Sequence, residues 1–217
     1  MKKEKDDLRY NEEDERTLLE DILGFIKVFA VTAIVFLLFV NFIAHPVNVV
    51  GRSMDPTLSD GEYGFTSVIS TIVGTPKRGD VVVVTIRGND GTTTHWVKRI
   101  IGLPGETVSC VNDEIYIDGE KLDESEYISE SYRQSMIDTY GYFNKSVKDT
   151  VDENGVTVVT AVDFDTVVLE DDEYFVCGDN RPYSKDSRDS SVGPIKKSQI
   201  FGEGILVFWP LNKIGIH

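Results

Sequence analysis

The sequence predicts a mostly β protein: an antiparallel β-sheet domain carrying a β-rich insert, preceded by one N-terminal transmembrane helix. Three observations carry that expectation. An uncharged apolar run lies near the N-terminus, and short β-branched runs bounded by Gly, Pro and Asp recur beyond it. Outside the apolar run no long amphipathic helical stretch is visible. The 217 residues, 41% hydrophobic and 27% charged, suit one domain with a packed core.

Residues 1–21 read as a charged tail. Residues 22–44 follow, with Lys27 and Asn41 the main polar interruptions and no charge between Val28 and Val40. Twenty-three helical residues span about 34 Å, enough to cross a hydrocarbon core of about 30 Å. A buried core helix would show a polar face, and a cleaved leader would end in a small-x-small site rather than His45-Pro46. Lys2, Lys3, Lys5, Arg9, Arg16 and Lys27 precede or enter the run, whereas only Arg52 is basic in the next 30 positions. That bias predicts a cytoplasmic N-terminus and an external domain.

Strands are expected at 80–86, 114–117, 156–162, 173–177 and 204–209. Turns are expected at 77–80, 89–91, 103–105, 118–119 and 154–155. The framework divides into 45–110 and 174–217, separated by an insert at 111–173.

Charge follows the same division. The chain carries 22 basic and 37 acidic residues, a net −15. Residues 44–111 balance and residues 174–217 sum to +2, while residues 112–173 hold four basic and eighteen acidic side chains. The insert is therefore expected to project from the sheet as an acidic, solvated segment. The overall acidity argues against nucleic-acid binding. Two cysteines and three scattered histidines supply neither a disulfide framework nor a metal site, and no acidic run has EF-hand spacing, so no metal or cofactor is expected. For Cys110 and Cys177, two readings stand: a disulfide, chemically permitted outside the membrane, or buried small hydrophobes.

Three turn-like stretches hold the chemistry: 51–58, 98–106 and 178–188. A Ser, a Lys and a second Ser on separate segments can form a nucleophile–base site. Trp96, Val97, Ile100 and Ile101 flank Lys98 and can desolvate its ammonium, lowering its pKa so that the amine accepts a proton. A serine hydroxyl needs such a base, and arginine could not serve as one. On these features alone, a strand lysine with its head in water and a turn-forming serine are the commoner reading.

The segments together closely resemble the signature boxes of bacterial type I signal peptidases, membrane-anchored Ser–Lys endopeptidases. Ser53-Met54-x-Pro56-Thr57-Leu58 resembles the nucleophile box, and Arg78-Gly79-Asp80-Val81-Val82 the strand that follows. Lys98-Arg99-Ile100-Ile101-Gly102-Leu103-Pro104-Gly105 resembles the general-base box. Gly178-Asp179-Asn180-Arg181 through Ser184-x-Asp186-Ser187-Arg188 resembles the last. Their order behind an anchor makes the match specific. It covers residues 22–110 and 174–210, and 111–173 correspond only to the family's variable insert.

The resemblance implies roles. Ser53 is the nucleophile, Lys98 the general base, and Ser184 orients the Lys98 amine. The Ser53 backbone N–H forms part of an oxyanion hole, and Gly51 stands where some relatives carry a hydroxyl, leaving the second donor open. Asp179, Arg181, Asp186 and Arg188 form ion pairs that fix the loop bearing Ser184. Met54 borders the substrate cleft, and His95 is a solvent-facing strand residue rather than the base. The implied partners are preprotein signal peptides, cut after a small-x-small motif on the outer face of the plasma membrane, and the lipid bilayer itself. A Ser–Lys self-cleaving repressor shares this chemistry but carries a DNA-binding domain, for which residues 1–21 are too short and too acidic.

Overall fold

The computed structural model describes residues 2–88, 90–151 and 157–217, with side chains from Leu18 onward except that of Phe42. Met1–Ile43 and Ala44–His217 form separate units.

The first unit is helix α1, Lys2–Leu38, continued by a π-helical turn at Phe39–Ile43. Leu18–Asn41 is long and apolar enough to cross a membrane, and none of it is buried within the protein. Twenty-four residues in helical geometry span about 36 Å. Asn41 Nδ2 donates to the Leu37 carbonyl at 2.7 Å, so this amide finds a partner within the helix, as a lipid environment requires.

The second unit is built from antiparallel strands. β1 (His45–Asn48), β2 (Tyr63–Ser67), β3 (Val81–Arg87), β4 (Thr93–Gly102), β11 (Glu173–Cys177), β12 (Ile195–Lys196), β13 (Ile200–Trp209) and β14 (Gly215–Ile216) make the main sheet. Its order is β1-β2-β13-β3-β4-β11-β12, with β14 beside β13. A second sheet runs β10-β5-β6-β7, from Val167–Val168, Thr107–Val111, Glu114–Ile117 and Glu120–Lys121. β8 (Ser146–Val151) and β9 (Thr157–Val162) form a separate ribbon.

β3 explains why the main sheet carries a hydrophobic cluster on each face. Val81, Val82, Val83 and Val84 are all buried, and alternate side chains of a strand point to opposite faces. Val81 and Val83 join Val49, Met54, Leu58, Ile205 and Val207. Val82 and Val84 join Ile100, Tyr174, Val176, Ile195 and Ile200. An unbroken β-branched run with no polar face is what a doubly covered central strand requires. Cys110 and Cys177 are both free, buried in a third cluster with Ile101, Phe164 and Phe175, so they behave as small hydrophobes.

The strands expected at 114–117 and 173–177 match β6 and β11, and the expected 80–86 and 204–209 lie within one residue of β3 and inside β13. Val156, Asn89 and the turn at 154–155 lie outside the described residues. Helix was underestimated. Val68–Val73 form α2 and Glu130–Tyr140 form α3. The α3 signals are local: Ser129 Oγ accepts from the Tyr132 N–H, and Gly141 ends the helix at φ +82°, donating to the Ile137 carbonyl. Its half-buried Tyr132, Met136 and Ile137 make too short an apolar stripe to stand out in the sequence. The insert also does not simply project, since Phe143 and Asn144 are fully buried.

Ile205, fully buried in β13, tests the cluster it shares with Val81 and Val83. Ile205→Ala should lower the stability of the detergent-solubilised chain by about 2–5 kcal/mol in urea unfolding; a loss below about 1 kcal/mol would contradict this packing.

Candidate active site

The first box is a tight turn linking β1 and β2. Val49, Met54 and Leu58 bury their side chains in the core and pin the turn at three points. The Leu58 N–H donates to the Met54 carbonyl at 3.0 Å, and the Gly61 N–H to that of Val49 at 2.9 Å. Gly51 sits at φ +89°, a conformation that favours glycine, and its N–H donates to Asp60 Oδ1 at 2.7 Å. That bond commits the Gly51 N–H to Asp60. The Ser53 N–H, by contrast, meets no acceptor among the described residues.

Lys98 lies on β4 and is only 3% exposed. Its Nζ donates to Ser53 Oγ at 2.9 Å and lies 5.7 Å from the centre of the Trp96 ring. Burial, the largest influence, pulls the amine down from the ordinary lysine value to about 8. Asp186, Cys177 and Asp179 oppose that fall, while Arg188 supports it.

The carboxylates nearest Lys98 are themselves saturated. Asp179 accepts from Arg99 Nε at 2.8 Å and Nη2 at 2.6 Å, and from Thr57 Oγ1 at 2.6 Å. Arg99 also donates to the Gly79 carbonyl at 2.6 Å, tying together all the boxes. Asp186 accepts from Arg188 Nε at 2.8 Å and Nη2 at 2.9 Å, and from the Gly178 N–H at 2.9 Å. Burial alone would raise the Asp186 carboxyl, but the charge and hydrogen bonds of Arg188 hold it below the usual carboxylate range. Arg78 closes a further tie, forking onto Glu106 at 3.0 and 2.6 Å and donating to the Ile101 carbonyl.

Asp179, Arg181, Asp186 and Arg188 of the last box are all buried, but among these four only Asp186 and Arg188 pair with each other. Asp179 pairs with Arg99, and Arg181 with Glu124. Ser184 is brought to the site without the bond to Lys98 expected of it: its buried Oγ has no close hydrogen-bond partner among the described residues, although its hydroxyl helps to lower the Asp186 carboxyl. The loop is held close by Gly178, where an added Cβ would lie 2.3 Å from the Ser53 carbonyl oxygen and 2.4 Å from Ser184 Oγ. The Asn180 N–H donates to that same carbonyl at 3.0 Å.

A cleft of about 450 Å³ opens beside the pair, walled by Val49, Met54, Val83, Trp96, Val97 and Phe201. Met54 is buried yet borders it, as expected. His95 is exposed at the cleft, its ring 5.0 Å from Phe201, and is not hydrogen-bonded to Ser53. Among the described residues no His, Cys, Asp and Glu side chains cluster to hold a metal ion.

Sequence reasoning did not single out Thr57 as a partner of Asp179, and missed Glu124 and Asn144 altogether. Thr57 lies inside a recognised box and was within reach; the other two lie in the insert, where no motif marks them.

Gly178→Ala should cost on the order of 100-fold in peptide-bond cleavage, because its methyl must displace Ser53 or Ser184. Parent-like turnover in that variant would refute the close approach.

The signal peptidase, peptidase S26, family matches residues 22–209. Signal peptidase I S of Bacillus subtilis (strain 168) is 36% identical over 195 residues, covering 90% of this chain and 93% of its own. Signal peptidase I of Bacillus licheniformis is 36% identical over 203 residues, covering 94% and 97%. Signal peptidase IB of Staphylococcus aureus (strain COL) is 34% identical over 194 residues, covering 89% and 93%. A match across nearly the whole chain, including all the segments that converge on Ser53 and Lys98, means that this protein belongs to the signal peptidase family.

Proposed function

We propose that the protein is a membrane-bound serine endopeptidase that removes N-terminal signal peptides from exported preproteins by a Ser53–Lys98 dyad. The observation that carries this reading is the 2.9 Å bond between Lys98 Nζ and Ser53 Oγ in a buried setting where the nearest carboxylates belong to arginines.

The deprotonated Lys98 amine takes the Ser53 hydroxyl proton as Oγ attacks the scissile carbonyl. The Ser53 N–H donates to the oxygen that becomes negative in the tetrahedral intermediate. Lys98, now an ammonium, returns the proton to the leaving amine, and water then hydrolyses the acyl ester with Lys98 again as base. Ser184 Oγ, buried and without a close hydrogen-bond partner among the described residues, can orient the amine when the reacting complex tightens. Asp179, Asp186, Arg188 and Arg181 hold the loop and touch no reacting atom.

The substrate is an extended peptide laid in the cleft between β1 and β4, with small side chains at the first and third positions before the cut. Met54 bounds the pocket that limits their size. Anchoring by residues 22–44, with 1–21 cytoplasmic and the catalytic parts 45–110 and 174–217 outside, confines enzyme and membrane-held substrate to one surface and raises their effective concentration.

Purified full-length protein should cut a preprotein once, after a small-x-small site. Ser53→Ala and Lys98→Met should each abolish that cut, and robust activity in either would remove the dyad assignment. Because the base must be unprotonated, kcat/KM should rise with pH to half its plateau near 8. A profile flat across roughly pH 6–10 would contradict Lys98 as the base.

A further inference from the structure

In the described part of the strongly acidic segment 112–173, two polar side chains besides that of Ser146 are buried, and both reach Arg181: Asn144 completely and Glu124 to within 8%. Neither belongs to a motif, and both face the loop that carries Ser184.

Their placement starts at Asp113, whose carboxylate accepts three consecutive backbone N–H groups. Phe143 donates at 2.7 Å, Asn144 at 2.7 Å and Lys145 at 3.0 Å. Asn144 Nδ2 returns a bond to the Asp113 carbonyl at 3.1 Å. Residues 143–145 are thereby fixed to the end of β5, with the Asn144 side-chain oxygen turned toward Arg181.

Arg181, among the largest fully buried side chains, uses its whole guanidinium. Nη1 donates to Asn144 Oδ1 at 2.6 Å, Nη2 to Glu124 Oε1, and Nε to the Gly178 carbonyl at 2.9 Å. Arg188 donates to the Asn144 and Lys145 carbonyls at 3.3 Å and to the Arg181 carbonyl at 2.6 Å, while its other donors hold Asp186. Gly178 is the residue whose bare Cα allows the approach of Ser53 and Ser184. The nucleophile turn is touched from the same segment, since the Tyr132 hydroxyl of α3 donates to the Asp55 carbonyl at 2.9 Å.

We propose that Glu124 and Asn144 are positioning residues, through which the acidic segment sets the loop geometry at Ser53, Lys98 and Ser184. The proposal rests on the Ser53–Lys98 reading and adds to it. Arg181 cannot hold the Gly178 carbonyl in one place unless its remaining donors and its charge are satisfied. In this buried site Glu124 supplies the paired countercharge and Asn144 a second side-chain acceptor. Loosening this contact lets Gly178 move from the Ser53 carbonyl and admits water to Lys98, whose other charged neighbours are Asp186, Asp179 and Arg188.

The test compares Glu124→Ala, Glu124→Gln and Asn144→Ala with the parent full-length chain, using a preprotein substrate. Asp165→Asn, on the exposed rim of the same segment, serves as control. In folded variants, Glu124→Ala and Asn144→Ala should lose about 10- to 100-fold in kcat with KM within about twofold. The acid limb of their pH profile should move to higher pH. Glu124→Gln, which keeps an acceptor for Arg181, should recover part of the rate, and Asp165→Asn should match the parent. If Glu124→Ala does not fold, Asn144→Ala, which leaves the ion pair intact, decides. Parent-like kcat and an unmoved limb in folded Asn144→Ala would overturn the proposal. Ser53→Ala and Lys98→Met separate the two readings: if both are inert while Asn144→Ala is not impaired, only the positioning role falls.

Discussion

Two buried ion pairs, Arg99–Asp179 and Arg188–Asp186, are the constraint on which the rest of the site depends. Lys98 can act as a base only if its amine sheds a proton near neutral pH, and a free carboxylate beside it would prevent that. Both aspartates lie close enough to influence Lys98, yet each has its oxygens occupied by a guanidinium. Burial therefore prevails. Pairs of this kind add little to stability compared with apolar packing, and their value here lies in fixing geometry and cancelling field.

The sheet supplies what those pairs need. β3, buried on both faces, sets β4 beside it in continuous register from Val81–Arg99 to Arg87–Thr93, which places Lys98 opposite Val82 and Arg99 opposite Val81. Arg99 reaches Asp179 and Lys98 reaches Ser53 from that one strand. β11 delivers the last box directly, because Cys177 pairs with Arg99 across the sheet and Gly178 follows it. Lys98 and the loop bearing Ser184 are thus carried by the adjacent strands β4 and β11, while the turn bearing Ser53 is held to them by polar contacts.

Legibility in the sequence followed the physics of each part. Strands with β-branched runs and turn residues at both ends were readable, because local pattern alone decides them. α3 was not, since its helix is set by a Ser cap and a terminal Gly around a weak apolar stripe. At the site, Ser53, Lys98 and the loop residues were readable from motif resemblance. The partners of Asp179 and Arg181 were not, because the chain brings Arg99 from β4 and Glu124 from the insert. Acidic composition likewise described the surface of residues 112–173 and hid their buried face at Phe143 and Asn144.

The central claim is that Lys98 is an amine whose proton leaves near neutrality because it is buried among compensated charges. It is tested most directly by titrating the lysine ε-carbons of the labelled full-length chain by NMR, with the Lys98 signal assigned through Lys98→Met. The account predicts a midpoint near pH 8 for that one resonance. A Lys98 midpoint at the ordinary lysine value of about 10.4 would contradict it.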